Sequence, residues 1–332
     1  MTLKVGIIGL GVGEAHIAGY ESSPECKVVS LCDIDTAKIR LAKKKYPALN
    51  VTKNAKDILR DPQIQVVSIA SYDNFHYEQI VEAIKHNKHI FVEKPLCLYE
   101  KEARHIRQLL RAKPHLKMSC NYILRKVPRF NALKTMIQKN QLGKLYYAEG
   151  DYNYGRLNKI THGWRGKIPF YSVVYGGGVH MIDLVMCLSN DPIVEVTAIG
   201  NRLMTQQTRF KYNDCVASSL RFKSVMIGKM TANFGCVFPH FHLLSLYGKK
   251  ATFINDVQAG RLFTTAEEMS FTPISEVYPG VKKGDLIYPF VDSIIKGTKA
   301  FVGTDDVFKA MSVCFAIEKA SATKKTVKVQ YI

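Results

Sequence analysis

Three glycines at alternate positions, Gly9, Gly11 and Gly13, follow directly on a short apolar run and open directly into a helical pattern. The run, Leu3-Lys-Val-Gly-Ile-Ile8, reads as a buried strand. No other feature constrains the fold as tightly. The first glycine permits a tight turn out of the strand, and the second removes the Cβ that would hold the backbone away from a bound pyrophosphate. The helix that follows presents its free N–H groups to that negative charge, with Val12 in the turn itself. The usual third glycine would fall at position 14, which is Glu14. Gly13 is expected to take over the close packing and Glu14 to point away from the anion.

The alternation continues beyond the turn. Strands are expected at 27–33, 50–52, 66–70, 89–92 and 117–120, and helices at 13–22, 36–46, 54–60, 74–86 and 100–110. Short apolar strands separated by amphipathic helices make a parallel sheet covered on both faces, a Rossmann-type α/β domain over residues 1–120. From 121 the rhythm changes. A helix over 128–140 is followed by β-like stretches at 144–154, 193–203, 214–223, 225–234, 241–247 and 251–254, several alternating apolar and polar residues. Residues 121–332 therefore read as a second α/β domain on a mainly antiparallel sheet. A helix begins near His180. Another, over 304–320, is expected to pack back on the first domain, with a short strand at 326–329 after it.

The sequence carries 47 lysines and arginines against 28 acidic residues, a net charge of +19. Such a field attracts anions, but the basic residues are spread along the chain and no zinc finger, basic zipper or arginine-rich tail is present. Nucleic acid is disfavoured as a partner, and an anionic small molecule or plain solubility accounts for the charge. The eight cysteines are scattered with no CxxC pair, which reads as reduced thiols and no metal site. No apolar run reaches the roughly 20 residues needed to span a bilayer. The amino terminus leads straight into a strand, so no membrane is expected as a partner and the cytoplasm is the expected compartment.

Binding residues are expected at the carboxyl ends of the parallel strands, where open sheets hold their ligands. Asp33 ends the second strand, where a carboxylate accepts from both ribose hydroxyls and repels a 2′-phosphate; this favours NAD, with Lys38 and Arg40 leaving NADP possible. The Ser71-to-His76 loop follows the fourth strand and is expected to touch the dinucleotide through Ser71, Asn74 and His76, although Asn74 reads equally well as a helix cap. Glu93-Lys94-Pro95 follows the fifth strand. A lysine there suits a substrate oxygen or a ribose hydroxyl, and the proline is a candidate for a cis bond.

Taken together, Val5-Gly-Ile-Ile-Gly-Leu-Gly-Val-Gly13 with His16, the 71–76 loop, Glu93-Lys94-Pro95, Trp164-Arg165 and Gly178-Val-His180-Met-Ile-Asp183 resemble the glucose–fructose oxidoreductase / inositol dehydrogenase / rhizopine-catabolism (Gfo/Idh/MocA) family over essentially the whole chain. The resemblance implies a nucleotide-binding domain plus an α/β domain whose open, mainly antiparallel sheet often joins a homodimer or homotetramer. It implies an NAD(P)-dependent oxidoreductase acting on a hydroxyl/carbonyl pair of a sugar, cyclitol or nucleotide sugar. By the same resemblance Lys94 and His180 are the active-site lysine and histidine, Asn121 and Tyr122 border the nicotinamide and substrate, and Asp183 orients or packs beside the histidine. The chain departs from the family at Gly176, where many members carry an aspartate four residues before the histidine. Tyr175, Tyr171 and His162 are candidates for the missing polar group, and spacing does not choose among them.

The expected chemistry is hydride transfer, with His180 as general base and Lys94 stabilising negative charge on the substrate oxygen; the two roles are interchangeable at this stage. Tyr154, Arg156, Lys159, His162, Trp164 and Arg165 form an aromatic and basic stretch suited to an anionic sugar such as a nucleotide sugar. A neutral sugar or cyclitol and a non-catalytic NAD(P)-binding regulator are the alternatives.

Overall fold

The computed structural model describes residues 2–332, which divide into two compact units: 2–123 with 282–308 and residue 332, and 124–281 with 309–331. The first unit begins β1 (Leu3–Ile8), α1 (Glu14–Glu21), β2 (Cys26–Cys32), α2 (Thr36–Lys45), β3 (Asn50–Thr52), α3 (Ala55–Leu59), β4 (Val66–Ile69), α4 (His76–Lys85), β5 (His89–Val92), α5 (Glu100–Ala112) and β6 (Met118–Cys120). Its six strands run in the order β3-β2-β1-β4-β5-β6, every neighbouring pair parallel. This doubly wound order reverses between β1 and β4, so the ligand crevice lies beyond the carboxyl ends of those strands. Val5, Ile7, Val66, Val67, Ile69, Ile90, Phe91 and Val92 are fully buried, as strands covered on both faces require. Asp35 and Asn54 accept from the N–H groups of Ala37 and Lys56 and so cap α2 and α3.

The second unit contributes α6 (Pro128–Gln138), β7 (Leu145–Asn153), α7 (Asn158–Thr161), α8 (Val179–Ser189), β8 (Ile193–Asn201), β9 (Cys215–Phe222), β10 (Ile227–Asn233), β11 (Phe241–Gly248), β12 (Thr252–Asn255), β13 (Gly260–Phe263) and β14 (Thr272–Ile274). Then come α9 (Ile287–Lys296), which belongs with the first unit, α10 (Thr304–Thr323) and β15 (Val327–Lys328). The nine-stranded sheet runs β14-β13-β12-β11-β7-β10-β9-β8-β15. Its pairs are antiparallel except β7 with β10. Alternate residues of β7, β10 and β11 (Ala148, Tyr152, Met230, Ala232, Leu244, Leu246) are buried, and α8 lies against β7.

Four elements were not legible beforehand: α7, β13, β14 and α9. β13 and β14 are too short to show a period. In α9, Pro289 falls inside what is the first turn of a helix, where a missing N–H costs nothing. The helix ends on Gly297 at φ +67°. The Phe290 ring of α9 lies 5.7 Å from that of Phe91. Gly284, just ahead of α9, approaches α1 so closely that a Cβ on Gly19 would stand 2.6 Å from its carbonyl oxygen. These contacts hold residues 282–308 in the first unit. All eight cysteines are thiols, none in a disulfide. No described helix is long and apolar enough to cross a membrane.

Candidate active site

The glycine turn has the shape its spacing implies. Gly9 sits at φ +93°, and a Cβ there would meet the Ala70 carbonyl oxygen at 2.3 Å. A Cβ on Gly13 would stand 2.3 Å from the Gly9 oxygen, so Gly13 takes the close-packing role. Over Gly11 the space is open, with only the Lys38 ammonium at 3.6 Å from a Cβ placed there. Val12 is 38% exposed beside it. Glu14 turns away, paired with Lys45 at 2.7 Å and accepting from the Tyr46 hydroxyl at 3.2 Å. Buried Asp33 braces the turn: Oδ2 accepts from the Leu10 N–H at 2.7 Å and Oδ1 from the Asp35 N–H at 2.9 Å. Lys38 Nζ lies 3.4 Å from Oδ2. A cavity of about 440 Å³ adjoins the turn, with Lys38, Lys44 and Lys45 among its lining residues.

A buried polar network organises the carboxyl ends of β4, β5 and β6. His16 on α1 pairs through Nδ1 with the Ser68 hydroxyl (2.9 Å) and through Nε2 with Glu93 (3.2 Å). The Asn121 amide donates to Glu93 at 2.6 Å and to the Lys283 carbonyl at 2.9 Å. Burial alone would raise the Glu93 pKa. The His16 hydrogen bond, the Lys283 charge and the Asn121 amide outweigh burial and hold this carboxyl well below the usual carboxylate range. Both nitrogens of buried His76 face carbonyl oxygens, Pro95 at 2.7 Å and Ser71 at 3.2 Å, which ties the two loops together. The Ser71 hydroxyl donates to Gln79. The Lys94–Pro95 peptide is cis. Asn74 lies within a 3₁₀ turn and does not cap α4.

An expected pH effect follows from this network. Because the folded-state pKa of Glu93 lies below the unfolded value of about 4.3, its contribution to stability is complete above about pH 5 and is lost as the pH falls through the folded value. Thermal melts from pH 7 to pH 3 should therefore show Glu93→Gln less stable than wild type at pH 7. The gap should narrow as the solution is acidified; a gap that stays constant would mean the carboxylate charge contributes nothing.

In the second unit His180 lies in the first turn of α8 and is 5% exposed. Aromatic and imidazole rings surround it. Tyr152 of β7 stacks on it at 6.0 Å and 19°, and His242 of β11 lies at 6.3 Å. His240 Nε2 pairs with the Tyr152 hydroxyl at 3.2 Å, and His242 Nδ1 with the Tyr278 hydroxyl at 2.6 Å. Burial pushes the Tyr152 and Tyr278 phenols well up, so both stay neutral. Tyr154 stacks on Tyr152 at 5.9 Å, and exposed Arg156 lies over the Tyr154 ring at 5.4 Å. Arg165 covers Trp164 at 4.6 Å. His162 is exposed and bonded to the Thr161 hydroxyl.

The sequence matches two family profiles: an oxidoreductase family with an NAD-binding Rossmann fold over residues 3–122, and the GFO/IDH/MocA C-terminal domain over residues 130–254. The chain belongs to the Gfo/Idh/MocA oxidoreductase family. A myo-inositol 2-dehydrogenase of Thermotoga maritima is 22% identical to it over 345 aligned positions, covering 99% of each chain. Levoglucosan dehydrogenase in complex with NADH superposes with a TM-score of 0.88 at 20% identity, over 100% of each chain. Scyllo-inositol dehydrogenase from Lactobacillus casei, with bound NAD(H) and scyllo-inositol, gives 0.82 at 20% identity over 99% of each chain. At such identities the solved structures share the fold.

This Gfo/Idh/MocA chain fits the family's dinucleotide on its own geometry. The turn over Gly11 is open. Two buried acceptors, Asn74 Oδ1 and Asn121 Oδ1, have no hydrogen-bond donor within the protein, and both residues follow carboxyl ends of the parallel strands. Burying an acceptor without a donor costs about 1–3 kcal/mol, and ribose hydroxyls or a carboxamide N–H are donors of the right kind. Several residues expected at the ligand have other work. Tyr122 is fully buried with its hydroxyl donating to the Val307 carbonyl. Tyr175 is buried between the rings of Phe170 and Phe315. Asp183 is wholly buried, with Oδ2 accepting from Arg125 Nε at 2.8 Å and Oδ1 from a terminal guanidinium nitrogen at 2.6 Å. Glu93 and His76 act by holding their neighbours. The sequence reading also missed Tyr152, His240, His242 and Tyr278, whose meeting depends on β11 pairing with β7.

Proposed function

We propose that this protein is an NAD-dependent dehydrogenase or reductase of a hydroxyl-rich ring, a small sugar or a cyclitol. The observation that carries the reading is the set of neutral phenol groups and imidazoles gathered around His180 and His242, next to flat ring faces. Such groups donate to and accept from hydroxyls, and aromatic faces suit the apolar face of a sugar ring. The named relatives, which act on inositols or bind levoglucosan, support the same class. Arg156, exposed over Tyr154, favours a second reading in which the ring carries a phosphate or carboxylate, as a nucleotide sugar does.

When bound, the nicotinamide accepts or supplies the hydride. Asp33 would hold the adenosine ribose, the Gly11 backbone would face the pyrophosphate, and Asn74 and Asn121 would each accept a hydrogen bond from the cofactor. Lys94 would donate a hydrogen bond to the reacting substrate oxygen and stabilise negative charge there. His180 would take the hydroxyl proton during oxidation and return it during reduction, since an imidazole titrates near neutrality. The test is absorbance at 340 nm with NAD⁺ and a panel of inositols, aldoses, anhydrosugars and nucleotide sugars. Turnover of neutral rings supports the first reading; turnover of anionic sugars alone supports the second. No turnover by a protein that binds NADH would favour a non-catalytic NAD(P)-binding regulator.

Cofactor choice gives a separate prediction. Asp33 should make NADH bind more tightly than NADPH, with Lys38 beside it softening the difference. Asp33→Ser is expected to weaken NADH about tenfold, through loss of hydrogen bonds to the ribose, and to tighten NADPH. Fluorescence titration of both nucleotides checks it; an unchanged ratio would remove Asp33 from the ribose site.

A further inference from the structure

The second unit holds a further cavity, of about 210 Å³, and His180 is not among the residues that line it. Phe170, Tyr171 and Tyr212 make the aromatic part of its wall. Ser172, Lys211, Asn213 and Glu318 make the polar part. Pockets for drug-sized ligands run to about 300–1,000 Å³, so this one suits a molecule of a few non-hydrogen atoms.

Glu318 is the unusual member of the wall. It is a part-buried residue of α10, and its partner is a neutral group, the Ser172 hydroxyl, which donates to Oε1. Among the described residues no ion pair includes it, although Lys211 lines the same cavity. Burial pushes its carboxyl up, and only the Ser172 hydroxyl pulls it back. A carboxylate withdrawn from water is ordinarily paired, because desolvation penalises its charge. The Asn213 amide N–H donates to Ser321 Oγ at 3.3 Å, which leaves the amide oxygen as a second acceptor. Phe170 and Tyr212 meet edge to face, with ring centroids 5.2 Å apart, and the Tyr212 hydroxyl donates to the Pro169 carbonyl. This wall therefore supplies acceptors and ring surface. A primary ammonium uses both: it has three N–H donors, and its charge is attracted to aromatic rings.

We propose that this cavity is a binding site for a small primary ammonium compound, a simple amine or amino alcohol, held by the Glu318 carboxylate and the Asn213 amide oxygen against the rings of Phe170 and Tyr212. The inference does not depend on the dehydrogenase reading. With a net charge of +19 the chain gives cations no general attraction, so an ammonium that binds needs a local acceptor. The site carries its own reporter. Ser172 Oγ also accepts from the N–H groups of Val174 (3.1 Å) and Tyr175 (3.2 Å), in the π turn Val174–Gly178 ahead of α8.

The test uses the full chain labelled with ¹⁵N-tyrosine, the Tyr175 amide being assigned by comparison with Tyr175→Phe, and ethanolamine as the probe. Ethanolamine is expected to bind with a roughly millimolar Kd and to shift the Tyr175 amide signal. Ethylene glycol, its uncharged isostere, should leave that signal in place at about 50 mM. Glu318→Gln keeps the side-chain shape and removes the charge; it should weaken ethanolamine at least about tenfold. Its melting temperature should be unchanged or higher, since an uncompensated carboxylate is gone. Lys211→Met should tighten ethanolamine about twofold by removing a like charge. A Tyr175 amide that ethanolamine does not move, or that ethylene glycol moves equally, would overturn the proposal, as would a Glu318→Gln protein that binds ethanolamine like wild type. Should Glu318→Gln fail to fold, the two probes on the wild-type chain decide the matter alone.

Discussion

Lys94→Met is expected to lower kcat by roughly 10³-fold while leaving the dissociation constant for NADH within a few-fold. The ammonium is assigned to charge that develops on the substrate oxygen during the reaction, and removing one such donor typically costs 10²- to 10³-fold. Methionine keeps the length and apolar stem of the side chain, and the backbone at Lys94–Pro95 is held independently by His76 against the Pro95 carbonyl. The loss should therefore fall on catalysis and not on folding. His180→Gln should lose a comparable factor, about 10²–10⁴ for a proton-transfer group. Steady-state kinetics with parallel NADH titrations separate these outcomes. A Lys94→Met enzyme with normal kcat and weakened cofactor would move Lys94 from the substrate oxygen to the ribose.

The largest expected stability effect is at Asp183. Its carboxylate is wholly buried and the Arg125 side chain is only 9% exposed. Removing the carboxylate leaves a guanidinium buried without its counter-charge, a change that typically costs about 3–5 kcal/mol. For a chain of this size that is on the order of a 10 °C loss in melting temperature. Asp183→Ala should show it. Replacing both partners, Arg125→Met with Asp183→Leu, should recover much of it, since a buried ion pair is often no more stable than apolar groups of similar volume. If Asp183→Ala melted like wild type but lost substrate affinity, the residue would belong to substrate binding and not to the core.

These two residues also show what was readable in advance. The place of Lys94 was readable because it follows a buried strand at the carboxyl end of a parallel sheet, where open sheets hold their ligands. The glycine turn, Asp33 and the parallel strands were legible for the same reason: each depends on local backbone chemistry. Asp183 was harder. A carboxylate three residues after a histidine on one helix reads as a partner in the site, and its partner Arg125 lies 58 positions away in sequence. Gly176 read only as a departure from the family pattern. It lies in the turn that leads into the histidine's own helix, where a Cβ would meet the Tyr171 hydroxyl. His240, His242 and Tyr278 carry no sequence motif. His242 comes beside His180, with His240 and Tyr278 against His242, because β11 pairs with β7 across the order of the sheet, and alternating hydrophobicity reports which face a residue takes but not which strand lies beside it.

The account depends on hydride moving between a ring carbon and the nicotinamide of a dinucleotide whose pyrophosphate lies at the glycine turn. The most direct measurement is deuterium transfer: the protein is incubated with NAD⁺ and a panel of cyclitols and sugars deuterated at their carbinol carbons, and the reduced cofactor is read by NMR. The account predicts deuterium at C4 of the nicotinamide, on one face only, from at least one ring substrate, forming roughly 10³-fold more slowly with Lys94→Met. NADH that forms without deuterium, or no reduced cofactor from any ring despite measured NAD⁺ binding, would contradict it.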